Sequence, residues 1–316
     1  MPNTPPNPRQ TLSYLRTLFT ERGIRPKNKL GQNFLIDLNL LDLIVRTAEI
    51  TAADLVLEVG SGTGSLTMRL VENAGAVVSV EIDPPFASLT EEAVRNHYAL
   101  FAINRPGSTP EANVRLLHTD VLENKNHLNP VLLDTLSELL GRPGVSRLKL
   151  VANLPYAVAV PVITNLLLTD LPLERMVVTV QWEIAERLLA SPGVKDYAGL
   201  AVLVQSLAEV SLVRKLGPSV FWPKPAVDSA IVLIRPEAQR RARVGNAERF
   251  RAFLRDLYVH RRKNLRSALA SLPSGRLDKA EVDARLAALG INGNDRAENL
   301  DVEQHLRLCA AFGPAT

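Results

Sequence analysis

Three short stretches of this chain carry residues that could do chemistry together. Glu58-Val-Gly60-Ser-Gly62-Thr-Gly64 places glycines at alternate positions after an apolar run. A backbone without Cβ atoms can turn tightly there and approach a ligand closely. Glu81, in Val-Glu81-Ile-Asp83, and Asp120, in His118-Thr-Asp120-Val, each close a further β-rich run. A carboxylate at the first of these can accept from both hydroxyls of a ribose, and one at the second suits the amine of an adenine ring. The third stretch is Asn153-Leu154-Pro155-Tyr156. An exocyclic adenine amine is a poor nucleophile, but once alkylated it is acidic enough to need no strong base. It needs acceptors that hold its hydrogens and aim its lone pair. The Asn153 side-chain oxygen and the Leu154 carbonyl, fixed by Pro155, can serve. Tyr156 adds an aromatic face on which an extruded base can stack.

The spacing argues against two other ligand classes. No Gly-Lys-Ser/Thr is present, so a P-loop is excluded, and a dinucleotide fingerprint asks for Gly or Ala where Ser65 stands. Alternate glycines after Glu58 fit a nucleoside methyl donor better than a pyrophosphate. Taken singly, each feature also has a plain structural explanation as a tight turn, an N-cap or a proline turn. Their recurrence at successive strand ends marks a site, because open α/β sheets bind ligands along that edge.

The elements that must position these residues alternate. Leu55–Val59, Ala76–Ile82, Val114–His118, Arg147–Ala152, Met176–Trp182 and Ser229–Ile234 read as strands. Ser65–Asn73, Pro84–Asn96, Val158–Leu168 and Ile184–Ala190 read as helices, and Asp37 as the N-cap of another. Leu200–Val213 fits either type. Such alternation predicts a doubly wound parallel sheet, a Rossmann-like α/β fold. Met1–Pro8 is expected to be a tail, followed by a short amphipathic helix. The polar stretches Asn104–Ala112 and Glu123–Ser146 are expected to lie outside the sheet. From Asn246 the β signal stops and helices follow. The chain therefore divides into 1–22 (tail and helix), 23–236 (sheet domain) and 237–316 (helical domain).

Composition narrows the class further. With 316 residues, 46% hydrophobic and 22% charged, the chain is of ordinary globular make-up. Its one cysteine, Cys309, rules out an intrachain disulfide, and five scattered histidines offer no metal-ligand spacing, so no metal is expected. The longest nearly apolar run, Ala157–Leu168, is too short for the ~20 residues of a membrane span, and no signal peptide opens the chain. A cytoplasmic monomer without membrane contact is expected. Charge is uneven: residues 235–276 hold twelve Lys/Arg against three Asp/Glu, leaving 25 basic and 30 acidic residues elsewhere. A basic stripe on an acidic body suits a polyanion. Arg261, Arg262, Lys263 and Arg266, beside Tyr258, are its candidate phosphate contacts.

Read together, the motifs resemble a known family. Lys29-Leu-Gly31-Gln32-Asn33-Phe34-Leu35, the Glu58 loop, Glu81-Ile-Asp83, Asn153-Leu-Pro-Tyr156, Phe221-x-Pro223-x-Pro225-x-Val227-Asp228-Ser229, Arg261-Arg-Lys263 and Arg296-Ala-Glu298-Asn299 occur in this order. Over roughly Gly23 to Ala311 the chain resembles the ribosomal RNA adenine dimethyltransferases, in their small-subunit (KsgA-type) branch. The resemblance implies S-adenosylmethionine as cofactor and dimethylation of two adjacent adenosines in the 3′-terminal hairpin loop of small-subunit rRNA. It implies the small ribosomal subunit or its precursor as partner, with a role in subunit biogenesis. It also implies donor-site roles for Asn33, Leu35, Gly60, Glu81, Asp120 and Asn153. Asn153, Leu154, Pro155 and Tyr156 would form the target-amine site, with Phe221 as a second aromatic wall. The chain departs from the family at Ala157-Val158-Ala159, at Tyr197-Ala198-Gly199 where Tyr-Gly is usual, and in the length of the two polar stretches. Two alternatives stand beside this reading. One is a large-subunit adenine methyltransferase of the antibiotic-resistance type, against which Leu154 and the Arg296 segment speak. The other is a ribosome-assembly checkpoint in which methylation is incidental.

Overall fold

The computed structural model describes residues 11–27, 30–104, 113–273 and 277–314, with the side chains of 98–104 left out. The expected tail Met1–Pro8, Lys29, Arg276 and nearly all of the Asn104–Ala112 stretch lie outside the described residues. By compactness the chain forms two units, 1–182 with 212–233, and 183–211 with 234–316.

The first unit opens with helix α1 (Leu12–Arg22), capped by Thr11, and the two-residue strand β1 (Phe34–Leu35). Helix α2 (Leu38–Ala48) follows, its first turn closed by Asp37, whose Oδ1 accepts from Asn39 N at 2.9 Å. Strands β2 (Asp54–Val59) and β3 (Ala76–Glu81) are buried along their whole length, which is why they read as continuous apolar runs rather than as alternation. Between them lies α3 (Ser65–Asn73), and after β3 comes α4 (Pro84–Asn104). Then follow β4 (Val114–His118), the hairpin β5 (Leu122–Asn124) and β6 (His127–Leu128), α5 (Pro130–Leu140) and β7 (Arg147–Asn153). Helix α6 (Ala159–Leu168) and strand β8 (Leu173–Gln181) lead to α7 (Trp182–Leu189) and α8 (Gly199–Leu207), which belong to the second unit from Glu183 on, and to β9 (Ala208–Leu216), which returns to the first from Leu212. Strands β10 (Phe221–Trp222) and β11 (Ser229–Pro236) close the series.

The main sheet has seven strands in the order β4-β3-β2-β7-β8-β11-β9, and the pairs from β4 to β8 are parallel. Register sets Glu81 opposite His118 and Asn153 opposite Thr179, so the candidate residues share one carboxyl edge. A second sheet pairs β1 with β10 antiparallel, Phe34 opposite Trp222 and Leu35 opposite Phe221. This pairing carries the segment before the sheet to the same edge.

Two expectations are refined. The stretch Glu123–Ser146 lies outside the seven-stranded sheet but is ordered structure: it holds most of the β5–β6 hairpin and α5, whose Leu132, Leu136 and Leu139 are fully buried and which packs on β2 and β3. Its start was written in Asn129, which caps Val131 N at 2.9 Å, and in Pro130 at the first helical position. Leu200–Val213 is both things at once, α8 running into β9 without a loop.

At the amino ends of β2 and β7 a buried ion pair ties the sheet to α2. Lys149 and Asp54 are 1% and 0% exposed, with Nζ 3.0 Å from Oδ2. Lys149 also donates to the carbonyls of Ala48 (3.1 Å) and Glu49 (2.7 Å), and Arg147 Nε lies 2.8 Å from Asp54 Oδ1.

The second unit carries α9 (Ala238–Val244), α10 (Ala247–Val259), α11 (Leu265–Leu269), α12 (Lys279–Ala288) and α13 (Val302–Phe312). The sequence sets its boundary at 236/237, whereas compactness groups 183–211 with these helices. At its centre His305 is fully buried, with Nδ1 2.8 Å from the Asp301 carbonyl and Nε2 3.2 Å from the Tyr258 hydroxyl. Burial lowers the imidazole to about 4, so it is neutral at physiological pH. The Arg296-Ala-Glu298-Asn299 segment braces this core: the Ala297 carbonyl lies 3.3 Å from the Tyr258 hydroxyl, and that of Glu298 accepts from Gly193 N at 2.8 Å. Among the described residues no helix is long and apolar enough to cross a membrane, and no His/Cys/Asp/Glu cluster could hold a metal ion.

Candidate active site

The loop after β2 needs its glycines for two separate reasons. Gly60 and Gly62 hold φ of 80° and 57°, a region side chains rarely adopt. They are also crowded. A Cβ on Gly60 would stand 2.9 Å from Pro155 Cγ, and one on Gly62 would stand 2.9 Å from Phe34 Cε1. The loop is thus packed against the Asn153 segment on one side and β1 on the other.

Glu58, at the root of this loop, is 1% exposed and accepts on Oε2 from Thr67 Oγ1 (2.5 Å) and Ser79 Oγ (2.7 Å). Burial pushes its carboxyl up to about 7, against the pull of the two hydroxyls. The folded protein therefore holds this proton more tightly than the unfolded chain, whose carboxyl titrates near 4.5. The associated stability is complete below 4.5 and is lost as the pH rises through about 7. Glu58→Gln, which keeps an acceptor without ionising, should be more stable than the parent at pH 8 by about 3 kcal/mol. The gain should shrink toward pH 5, as read from urea unfolding at both pH values. Equal stabilities at pH 8 would mean that the buried carboxyl ionises at no cost.

Glu81, 8% exposed, receives the loop directly: Oε2 accepts from Gly62 N and Oε1 from Asp83 N, both at 3.0 Å. Burial raises its carboxyl, with those N–H groups pulling the other way. Each carboxylate oxygen keeps a lone pair for a ligand hydroxyl. Asp120 is exposed, and its Oδ1 accepts from Leu122 N at 2.9 Å. On β7, Asn153 donates Nδ2 to the Asn33 carbonyl at 2.9 Å. That bond commits the amide nitrogen and leaves Oδ1 as the acceptor. Leu154 is 1% exposed and anchors the turn in the core. Tyr156 is half-buried, its hydroxyl 2.6 Å from Ser229 Oγ, and burial raises its pKa.

One pocket gathers most of these residues. Asn33, Gly60, Glu81, Asp120, Asn153 and Pro155 line it, together with apolar Phe34, Val59, Val80 and Phe86. Leu35 lines a smaller adjoining cavity with Gly60 and Asn153. Leu154, Tyr156 and Phe221 are not among the walls of the main pocket. Phe221, 2% exposed, sits in the core cluster with Leu35 and Val151.

Several residues that sequence reasoning passed over complete the site. Asp83, 1% exposed, accepts from Lys27 Nζ and Gln32 Nε2, both at 2.7 Å, and so fastens the segment before β1 beside β3. Phe34 packs at 4.9 Å from Phe86 and 5.5 Å from Phe19, ring centre to ring centre. Gln32 and Ser229 stand inside quoted motifs, but their partners are distant in sequence, and spacing alone carries no sign of the pairing.

In the second unit the basic stripe is largely spent on internal ion pairs. Arg235, Arg240, Arg243, Arg251 and Arg255 each face a carboxylate, and Arg266 lies 2.6 Å from Asp283. Arg261, Arg262 and Lys263 are exposed on the turn after α10 and form no ion pair among the described residues. Among the described residues of the stripe, these three are exposed cations with no carboxylate partner.

A parallel sheet whose carboxyl edge carries a positive-φ glycine loop, an acid on the next strand and an Asn-Leu-Pro-Tyr tip defines a Rossmann-like methyltransferase. The ribosomal RNA adenine dimethylase family matches residues 23–312, and the chain belongs to that family. It is 39% identical to ribosomal RNA small subunit methyltransferase A of Streptomyces coelicolor over 93% of each chain. Among solved structures it is similar to a dimethyladenosine transferase from Plasmodium falciparum (TM-score 0.67, 25% identity, 87% of this chain and 96% of that one). It is also similar to the 23S rRNA methyltransferase ErmE (TM-score 0.59, 26% identity, 89% and 99%). Methyltransferases of this kind use S-adenosylmethionine as methyl donor.

Proposed function

We propose that this protein dimethylates the N6 amines of two adjacent adenosines in the 3′-terminal hairpin loop of small-subunit rRNA, acting on the small subunit or its precursor. The observation that carries the reading is the bond from Asn153 Nδ2 to the Asn33 carbonyl. It orients a single acceptor, Oδ1, at the tip of a strand that lines the pocket. Bound there, S-adenosylmethionine would supply a methyl group on a positively charged sulfur. The residues suited to hold it are Gly60, with backbone close to the ligand, and Glu81 and Asp120, with carboxylates for hydroxyl and amine groups. The backbone around Asn33 and Leu35 completes the set.

The chain's own contribution to transfer is positional. In the first transfer Asn153 Oδ1 and the Leu154 carbonyl hold the two amine hydrogens, so that the nitrogen lone pair faces the methyl carbon, and in the second a single hydrogen remains for one of them to hold. No strong base is needed, because the alkylated amine loses its proton readily. Tyr156 offers the stacking face, while Phe221 acts from the core by holding β1 in register beside Asn33. Labelled methyl transfer to small subunits lacking the modification, followed by mass analysis of the nucleosides, tests the reading. Dimethyladenosine in small-subunit rRNA is expected. Its appearance only in large-subunit rRNA would favour the alternative that the likeness to ErmE raises.

Arg261, Arg262 and Lys263 supply the phosphate contacts in this reading, so binding to small subunits should weaken with salt. Each lost contact flattens the log–log slope by about 0.7 to 0.9. Replacing all three by alanine should lower the slope by about two to three, whereas Arg266→Ala, already committed to Asp283, should change it little. An unchanged slope in the triple variant would move the RNA contact elsewhere.

A further inference from the structure

Strand β11 begins at Ser229, fully buried, whose Oγ lies 2.6 Å from the Tyr156 hydroxyl. The residue before it is fixed twice. The Asp228 carbonyl accepts from Trp182 N at 2.9 Å, and its carboxylate lies 3.2 Å from Lys215 Nζ. Lys215 in turn stands 4.2 Å from the centre of the Trp182 ring. The start of β11 is therefore held against the carboxyl end of β8, and β8 is in register with β7 at Thr179 and Asn153. Tyr156 hangs from the turn after β7 with its far end on this brace.

A tyrosine hydroxyl lies on the long axis of its ring, so a bond there fixes the direction of that axis and the place of the ring's far end. For a stacking platform the place of the ring matters, because it sets where a base lying on it comes to rest. We propose that Ser229 is a positioning residue for methyl transfer, holding the Tyr156 ring in the place that presents the target amine to Asn153. The inference rests on the reading of Tyr156 as the aromatic platform. It gives the Asp228-Ser229 end of the proline motif a task at the site, although neither side chain lines the pocket.

The test is a cycle of Ser229→Ala, Tyr156→Phe and the double variant in the full-length protein. Each is assayed for kcat, the KM of each substrate, melting temperature and the share of product released as monomethyladenosine. Each single variant should lower kcat by roughly three- to tenfold, the worth of one hydrogen bond. The KM for S-adenosylmethionine should hold, and monomethyl product should accumulate. The double variant should be no worse than the poorer single one, because both remove the same bond. Additive losses, an undisturbed kcat in Ser229→Ala, or a melting-temperature loss with kcat and product ratio unchanged would overturn the inference. Should Ser229→Ala fail to fold, Tyr156→Phe alone reads the same bond by the same criteria. Tyr156→Ala separates the two layers. If it transfers methyl groups normally, the platform reading fails. If it is inactive while Ser229→Ala works fully, the platform stands and the brace falls.

Discussion

Asn153→Ala is expected to cut kcat for methyl transfer by roughly 10²- to 10³-fold, the scale of losing one aimed polar group at a reacting centre. Affinity for small subunits should stay within about twofold, since the proposed phosphate contacts Arg261, Arg262 and Lys263, without an ion pair among the described residues, lie in the other unit. Donor affinity should fall by roughly fivefold, because the Asn33 carbonyl loses the amide that it now accepts. The pattern matters more than the size of the loss. An acceptor for the amine shows mainly in kcat, whereas a purely structural asparagine would lower subunit affinity and melting temperature along with turnover. Equilibrium binding, melting and single-turnover transfer on one preparation decide between them.

Lys149→Met should be the most damaging substitution remote from the site, costing about 3 kcal/mol or more of folding stability. Methionine leaves the Asp54 carboxylate in the core with only the half-exposed Arg147 and Thr51 as partners. It also strips a donor from two helix-end carbonyls. Burial alone would raise the Asp54 carboxyl, but the bonds from Lys149 and Thr51 outweigh it and leave it below 3.8. Its stabilising share is thus present above that value and lost as the pH drops below it. Urea unfolding of Lys149→Met, and of Lys149→Met with Asp54→Leu, measures the effect. The double variant should recover part of the loss by removing the stranded charge, and no recovery would mean that the damage is a packing defect.

Much of this architecture was legible because its signals are local. Helices Ser65–Asn73, Ala247–Val259 and Val302–Phe312 stand where the spacing of apolar residues predicts them. Strands β2, β3 and β7 announce themselves as short apolar runs closing on Gly60, Glu81 and Asn153. Helix α5 was obscured by the polar hairpin before it, although its leucines keep helical spacing. Pairing of β1 with β10 was not legible, since two-residue strands have no period and the partner lies far along the chain. Asn33 and Leu35 accordingly entered through resemblance alone. The ties from Gln32 to Asp83 and from Tyr156 to Ser229 are products of the fold. Neither side chain of either pair names its partner from sequence.

Gly31 lies so near the Asn153 turn that a methyl group on it would sit 3.3 Å from Tyr156 N. Beside it, the Asn33 carbonyl grips the Asn153 amide. The segment assigned to the donor and the turn assigned to the target amine are thus packed directly on each other, so the two substrates of the proposed reaction would share one wall. Any coupling between the two ligands through that wall is reciprocal, so the same factor must appear in both affinities. A measured tightening of RNA by donor would therefore predict, without further assay, how strongly RNA retains the donor.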